Sequence, residues 1–148
     1  MFSKEESKKL RQQFWIFFGR RYPRKWVLYN TKLKDFNLKF DFDTKKAIVA
    51  IDVEHPDPIE RAYYFDKLLQ LETLLRERIS PELIFDKHYV LPNGKEIARC
   101  YVQLDGVSIH NKFSWPDVFE FFYLHMDAFE KVYLDYEDFI KAWYSPRL

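Results

Sequence analysis

The chain has 148 residues, 47% of them hydrophobic and 20% aromatic, enough for one buried core and too much for a disordered chain. Three glycines and a single cysteine argue against a glycine-rich nucleotide loop, a disulfide framework and a zinc site built from thiolates. The formal net charge of +1 hides two opposed parts: residues 1–46 hold thirteen Lys/Arg against five Asp/Glu, net +8, and the remainder eleven against eighteen, net −7. Such asymmetry steers anionic partners, or neutralises itself within the fold or between protomers.

The opening residues are too polar for a signal peptide, and no stretch approaches the roughly 18 consecutive apolar residues of a membrane span, so a cytoplasmic protein without a membrane segment is expected. Ser3 with Glu6 three positions on has the form of a capping box, and Leu10, Phe14, Phe17 and Phe18 continue at helical spacing. A first helix is therefore predicted, ended by Gly19 and kept from resuming by Pro23. The basic, aromatic connector Arg20-Arg21-Tyr22-Pro23-Arg24-Lys25-Trp26 then leads into a short strand predicted at Val27-Leu28-Tyr29.

From Asp35 to Glu54 the period changes to two, with Phe36, Leu38, Phe40 and Phe42 followed by Ala47, Val49, Ile51 and Val53. This is a β-hairpin pattern. A turn at Thr44-Lys45 sets Asp43 against Lys46 and collects these eight apolar residues on one face. The opposite face then pairs Asp35 with Glu54, Asn37 with Asp52, Lys39 with Ala50 and Asp41 with Ile48. Asp57 with Glu60 repeats the capping box, and with Pro58 at the first helical position it announces a helix running to about Arg78, where Ser80-Pro81 stops it. A second hairpin follows through a Pro92-Asn93-Gly94 turn, its return strand alternating Ile97, Arg99, Tyr101 and Gln103 against Ala98, Cys100, Val102 and Leu104. After a loop at residues 107–112, Ser114 with Asp117 is expected to cap a long last helix with an aromatic stripe from Val118 to Trp143 and an acidic outer side. The expected fold is a single α+β domain over residues 1–148, in the order α-βββ-α-ββ-α. Its mainly antiparallel sheet has about five strands, with helices packed on the apolar side.

Three groups of residues carry chemical interest. Asp52 and Glu54 lie two apart on one side of a strand, with Asp35, Asp41 and Lys39 across the hairpin. Converging carboxylates of this kind bind magnesium or manganese, and acids plus a lysine on paired strands suit a metal-dependent phosphodiesterase, with Asp52, Glu54 and Lys39 catalytic and Asp35, Asp41, Asp52 and Glu54 as ligands. The other reading is a solvated hairpin face with no catalytic residue, metal or cofactor. In the connector, Arg20, Arg21, Arg24 and Lys25 suit phosphates, and Trp26 suits an unpaired base; equally, Trp26 is core and the charges pair with the acidic last helix. Thirdly, the strand end with His55 and the loop holding His110 and Asn111 would form one polar binding pocket if the fold brings them together beside Lys39 or Arg24. Cys100 reads as a buried, inert thiol. Phe121, Tyr123 and Tyr144, left over from the buried stripe of the last helix, suggest a second apolar surface and a homodimer joined there.

The helix-strands-helix opening is loosely similar to the PD-(D/E)XK nuclease architecture, with Glu54 standing where a lysine is expected. The phrases Arg24-Lys25-Trp26-Val27-Leu28-Tyr29-Asn30-Thr31, Ala50-Ile51-Asp52-Val53-Glu54-His55 and Asp105-Gly106-Val107-Ser108-Ile109-His110-Asn111-Lys112 resemble, over nearly the whole chain, a bacterial domain-of-unknown-function family, number 4268. That family's domain occurs alone or at the end of longer proteins whose other part is nuclease-like. The resemblance implies a nucleic-acid or defence-related context and carries no catalytic residue across. The resulting expectation is a non-catalytic cytoplasmic interaction domain, with a metal-dependent phosphodiesterase or its degenerate relative as the alternative.

Overall fold

Alternation over residues 36–53 produces the expected hairpin. In the computed structural model, which describes residues 2–142, strands β1 (Phe36–Phe42) and β2 (Lys46–Val53) pair antiparallel in the predicted register, Phe36 opposite Val53 and Phe42 opposite Ala47. Asp43 shapes the turn, its carboxylate accepting from the Lys45 and Lys46 amides at 2.7 and 2.9 Å. The second hairpin joins β3 (Ile84–Val90) to β4 (Glu96–Asp105). Its turn holds Gly94 at φ 87°, a conformation that costs glycine little. The hairpins meet through β2 and β4, giving one antiparallel four-stranded sheet in the order β1-β2-β4-β3.

Four α-helices complete the α+β architecture: α1 (Lys4–Arg21), α2 (Pro58–Gln70), α3 (Glu72–Arg78) and α4 (Trp115–Lys141). They cover the predicted apolar face, where Leu38, Val49, Ile51, Cys100 and Val102 of the sheet pack against Phe14, Phe65, Phe122 and Phe129. Phe14 is fully buried and has the rings of Phe42, Trp115 and Phe122 around it at 4.8–5.8 Å, edge-on geometries that suit the aromatic quadrupole. Cys100 sits in this core, where burial pushes its thiol far above the ordinary range and leaves it un-ionised. Lys67 reaches from α2 to the last turn of α4, donating to the carbonyls of Phe139 (2.7 Å) and Ala142, which otherwise lack helical partners. Among the described residues no helix is long and apolar enough to cross a membrane.

Several local expectations are corrected. Among the described residues there are four strands, not five. Val27-Leu28-Tyr29 is an irregular turn with Leu28 at φ 44°, which contributes one sheet-like bond, the Leu38 amide donating to the Leu28 carbonyl at 3.1 Å. α1 runs through Gly19 to Arg21, and Tyr22 ends it before Pro23. The helix expected to reach Arg78 breaks at Leu71 into α2 and α3, so the observed order is α-ββ-α-α-ββ-α. Ser3 and Glu6 do form a reciprocal capping box. Asp57 caps α2, but Glu60 turns to His55 instead of completing a box. Ser114 does not cap α4; its hydroxyl donates to the carbonyls of Ser108 and Asn111, fastening the loop before it. Trp143 and Tyr144 lie outside the described residues.

The face away from the helices departs most from expectation. Ile48, Ala50 and Tyr101 are buried there as a second, smaller cluster with Tyr89 against it, and Asp52 and Arg99 are buried beside them at 0% and 1% exposure. A bulge between Asp86 and Tyr89 shifts the β3 register, and the Tyr89 ring lies against both Tyr101 and Arg99. Bulges increase local twist and re-aim a side chain. Here the result is an aromatic lid over the centre of that face.

Candidate functional site

The buried polar centre of the second face is built by cross-strand register. On β1, β2 and β4, Asn37, Asp52 and Arg99 form one row, and Lys39 and Glu54 stand beside it. Arg99 donates to both oxygens of Asp52, Nε to Oδ1 at 2.7 Å and Nη2 to Oδ2 at 2.9 Å, a two-pronged match of fork to carboxylate. Lys39 Nζ lies 3.3 Å from Asp52 Oδ2 and 3.0 Å from Glu54 Oε2. Glu54 also accepts from the Asn37 amide at 3.0 Å and faces Lys95 at 3.5 Å. Tyr89 places its ring 4.4 Å from the Arg99 guanidinium, a favourable cation–π contact away from water.

Electrostatics follow from that packing. Burial alone would depress the Arg99 and Lys39 pKa values, but Asp52 outweighs it, joined by Glu54 at Lys39 and by Asp41 at Arg99, and both stay above their ordinary range. Burial likewise works to raise Glu54, yet Asn37 and Lys39 prevail and hold it below the usual glutamate value. Arg99 Nη1 is the exception within the centre: it is buried, has no hydrogen-bond partner among the described residues, and lies 3.8 Å from Asp41 Oδ2. Asp41 is itself raised, mainly by burial, which exceeds the attraction of Arg99.

A carboxyl with a raised folded pKa binds its proton more tightly folded than unfolded, so folding loses stability as pH rises through that range. Asp41→Asn is therefore expected to raise the melting temperature at pH 7. The advantage should fade as pH falls towards about 4, the unfolded aspartate value. A lower melting temperature at pH 7 would mean that attraction to Arg99 outweighs burial.

Of the four carboxylates considered as metal ligands, Asp52 and Glu54 are bonded to cations, Asp41 faces Arg99, and Asp35 meets Glu54 through its backbone, as the register predicts. Asp35 precedes β1 at φ 60° and contributes its backbone carbonyl, which accepts from the Glu54 amide at 2.7 Å. Among the described residues no three His, Cys, Asp or Glu side chains are placed to share a metal ion. Lys39 bridges Asp52 and Glu54, and Arg99 bridges Asp52 and Asp41.

The single polar pocket at the two loops does not form. The loop bearing His110 and Asn111 is fixed to the β1–β2 turn by the Ile109 amide, which donates to the Asp43 carbonyl at 3.0 Å. His55 follows the other end of β2, so the eight-residue strand separates the two by roughly 25 Å. His55 accepts from the Asp57 amide at Nδ1 and pairs with Glu60 at Nε2. His110 lies 2.7 Å from the Ser7 hydroxyl and against the Phe2 ring, and Asn111 accepts from the Phe113 amide at the start of a short 3-10 turn over Lys112–Ser114.

The connector divides into fixed and free parts. Arg24 bonds Asp127 at 2.8 Å and Glu130 at 2.9 Å, while its guanidinium covers the half-buried Trp26 ring at 3.9 Å. Glu130 also accepts from the Val27 amide. Arg20, Arg21 and Lys25 are exposed and have no carboxylate partner among the described residues. Arg21 borders a groove of about 700 Å³ with Tyr22, Tyr123, Asp117 and Glu120. Two carboxylates make that groove a poor seat for phosphates. Phe121 is half-buried against Phe122 and His125, and Tyr123 stacks on Tyr22 at 4.4 Å.

The partners missed in the sequence are Arg99, Tyr89 and Lys95. Alternation did place Arg99 on the polar side of its strand. Nothing local, however, says that β4 lies against β2. A family model described as a domain of unknown function, DUF4268, matches residues 10–137. The chain belongs to this family. No curated protein and no solved structure matches it. The DUF4268 match spans every part of the polar centre, from Asn37 to Arg99, together with the connector and both histidine loops.

Proposed function

We propose that this DUF4268 chain is a non-catalytic interaction domain whose paired-strand carboxylates hold the fold. One observation carries the reading: both oxygens of the fully buried Asp52 are bonded to Arg99, with Lys39 a third cation contact. A metal-dependent phosphodiesterase needs acidic oxygens open to a shared ion and to a phosphate. In this centre Asp41, Asp52 and Glu54 are matched by Lys39, Lys95 and Arg99, and both oxygens of Asp52 are already engaged by cations. A homodimer through α4 draws less support, because Phe121 and Tyr123 have ring partners within the chain. The nucleic-acid context implied by the family resemblance is compatible with a binding module.

Plasmid DNA and a structured RNA, incubated with the protein in magnesium or manganese, are expected to remain intact. Strand scission that disappears in Glu54→Gln would overturn the proposal and favour the phosphodiesterase.

A further inference from the structure

Deepening the reading of a non-catalytic binding domain, on which it rests, we propose that the groove between α1 and the loop leading to β1 binds single-stranded nucleic acid, with Trp15 and Tyr29 as base platforms. These two rings share one shallow groove of about 240 Å³ with Leu28, Leu38, Lys39 and Phe40. Trp15 is 39% and Tyr29 68% exposed. Two exposed rings lining one groove are placed to serve as stacking platforms for bases.

Trp15 is exposed without being loose. It stacks on Phe122 at 5.7 Å, meets Phe14 and Phe18 edge-on, and touches Phe40. A ring already fixed loses little freedom when a base stacks on it. Tyr29 is presented differently, by a backbone under strain. Leu28, Lys32 and Asp35 all have left-handed φ, at 44°, 61° and 60°, and none is glycine. Such residues persist only where their surroundings over-determine them, and they gather at ligand clamps. Buried Thr31 does this here: its hydroxyl donates to the Phe36 carbonyl at 2.6 Å, and its own carbonyl accepts from the Tyr133 hydroxyl at 2.7 Å.

Charge selects the occupant. Of the thirteen Lys/Arg in residues 1–46, only Arg24 and Lys39 form ion pairs among the described residues. Lys8 precedes Trp15 by seven positions, two turns along the same flank of α1, whereas Arg11 borders a separate groove with Asp41 and Asp43. Lys32 and Lys34 are exposed on the loop that carries Tyr29. The carboxylates in residues 1–35 are Glu5 and Glu6, at the far end of α1, and Asp35, next to Lys34 on the loop. The groove's own Lys39 is taken by Asp52 and Glu54, so the phosphates fall to the unpaired Lys32 and Lys34 on the loop that carries Tyr29; with two exposed rings these match a chain with unpaired bases, whereas a duplex hides the base faces that the rings would meet.

The test is fluorescence anisotropy of a labelled oligothymidylate of about 15 nucleotides, a length on the scale of single-strand binding sites, measured in EDTA across a salt series. Saturable binding that weakens steeply with salt is expected. Tyr29→Ala should weaken it about tenfold, in line with the loss of one stacked base. Lys32→Gln with Lys34→Gln should flatten the salt slope by about 1 to 2, the share of two phosphate contacts. All three side chains are exposed, so these variants are expected to fold. Absence of binding at low salt, indifference to Tyr29→Ala, or equal affinity for duplex DNA or heparin would each overturn the proposal. Cleavage of the oligonucleotide in a parallel manganese sample would instead overturn the non-catalytic reading, since groove binding is measured without metal.

Discussion

Arg99→Leu is expected to lower the unfolding free energy by about 3–5 kcal/mol, because it strands a fully buried carboxylate. Asp52 would keep only Lys39, at 3.3 Å, and lose both short bonds. For a domain of this size each kcal/mol moves the melting temperature by roughly 2–4 °C, so the loss is large in a thermal scan. Burying two opposite charges gains little over burying two well-packed apolar side chains; the damage comes from removing one partner alone. The double variant Asp52→Leu/Arg99→Leu should therefore recover most of the lost stability. Chemical denaturation of the wild type, the single variant and the double variant checks both parts. A single-variant loss below about 1 kcal/mol would mean that Asp52 is reached by water.

Glu130→Ala should cost about 2–3 kcal/mol, for a related reason at a different place. Glu130 is buried on α4 and receives two donors from the connector, Arg24 Nη2 at 2.9 Å and the Val27 amide. Alanine would leave the amide without its acceptor and Arg24 with Asp127 alone. The connector, and with it the ring of Trp26 beneath Arg24, should then loosen from α4. Glu130→Gln keeps an acceptor oxygen and should lose less. Equal losses in the two variants, measured by chemical denaturation, would show that a neutral acceptor does not suffice and that the charged carboxylate with both oxygens holds this segment.

Acid sensitivity follows from the same centre. Glu54 is held below its ordinary value in the folded state. Its contribution is therefore present above the unfolded glutamate pKa and is lost as pH falls through the folded one. The protein's stability should fall on the acid side as this carboxylate takes up its proton.

The hairpins were legible in the sequence because a side-chain period of two leaves little freedom: a one-residue slip would expose Phe36, Leu38, Val49 and Ile51 together. That argument gives the faces of β1 and β2 and the turn at Asp43. It does not say what covers the other face. Asp52 and Arg99 are 47 residues apart in sequence, so their pairing depends on how two hairpins align edge to edge. Read locally, a strand with alternating charge looks half-solvated, and the second face was expected to be so. Polar alternation conceals a buried network whenever the charges find each other.

Local signals failed where tertiary contacts competed with them. Val27-Leu28-Tyr29 has the composition of a strand, but its amide is held by Glu130 and its backbone turns at Leu28. Ser114 has the chemistry of a helix cap, but the carbonyls of Ser108 and Asn111 claim its hydroxyl. The break at Leu71 has no glycine or proline to announce it. The two histidine segments each read as polar loops, and only the three-dimensional path of β2 shows them at opposite ends of the sheet.

The claim that the Asp52 centre is structural is tested most directly by calorimetric titration of manganese into metal-free protein, wild type beside Glu54→Gln. The account predicts heats of dilution alone in both. Saturable binding in the wild type, at millimolar affinity or tighter and abolished by Glu54→Gln, would contradict it and make the centre a metal site.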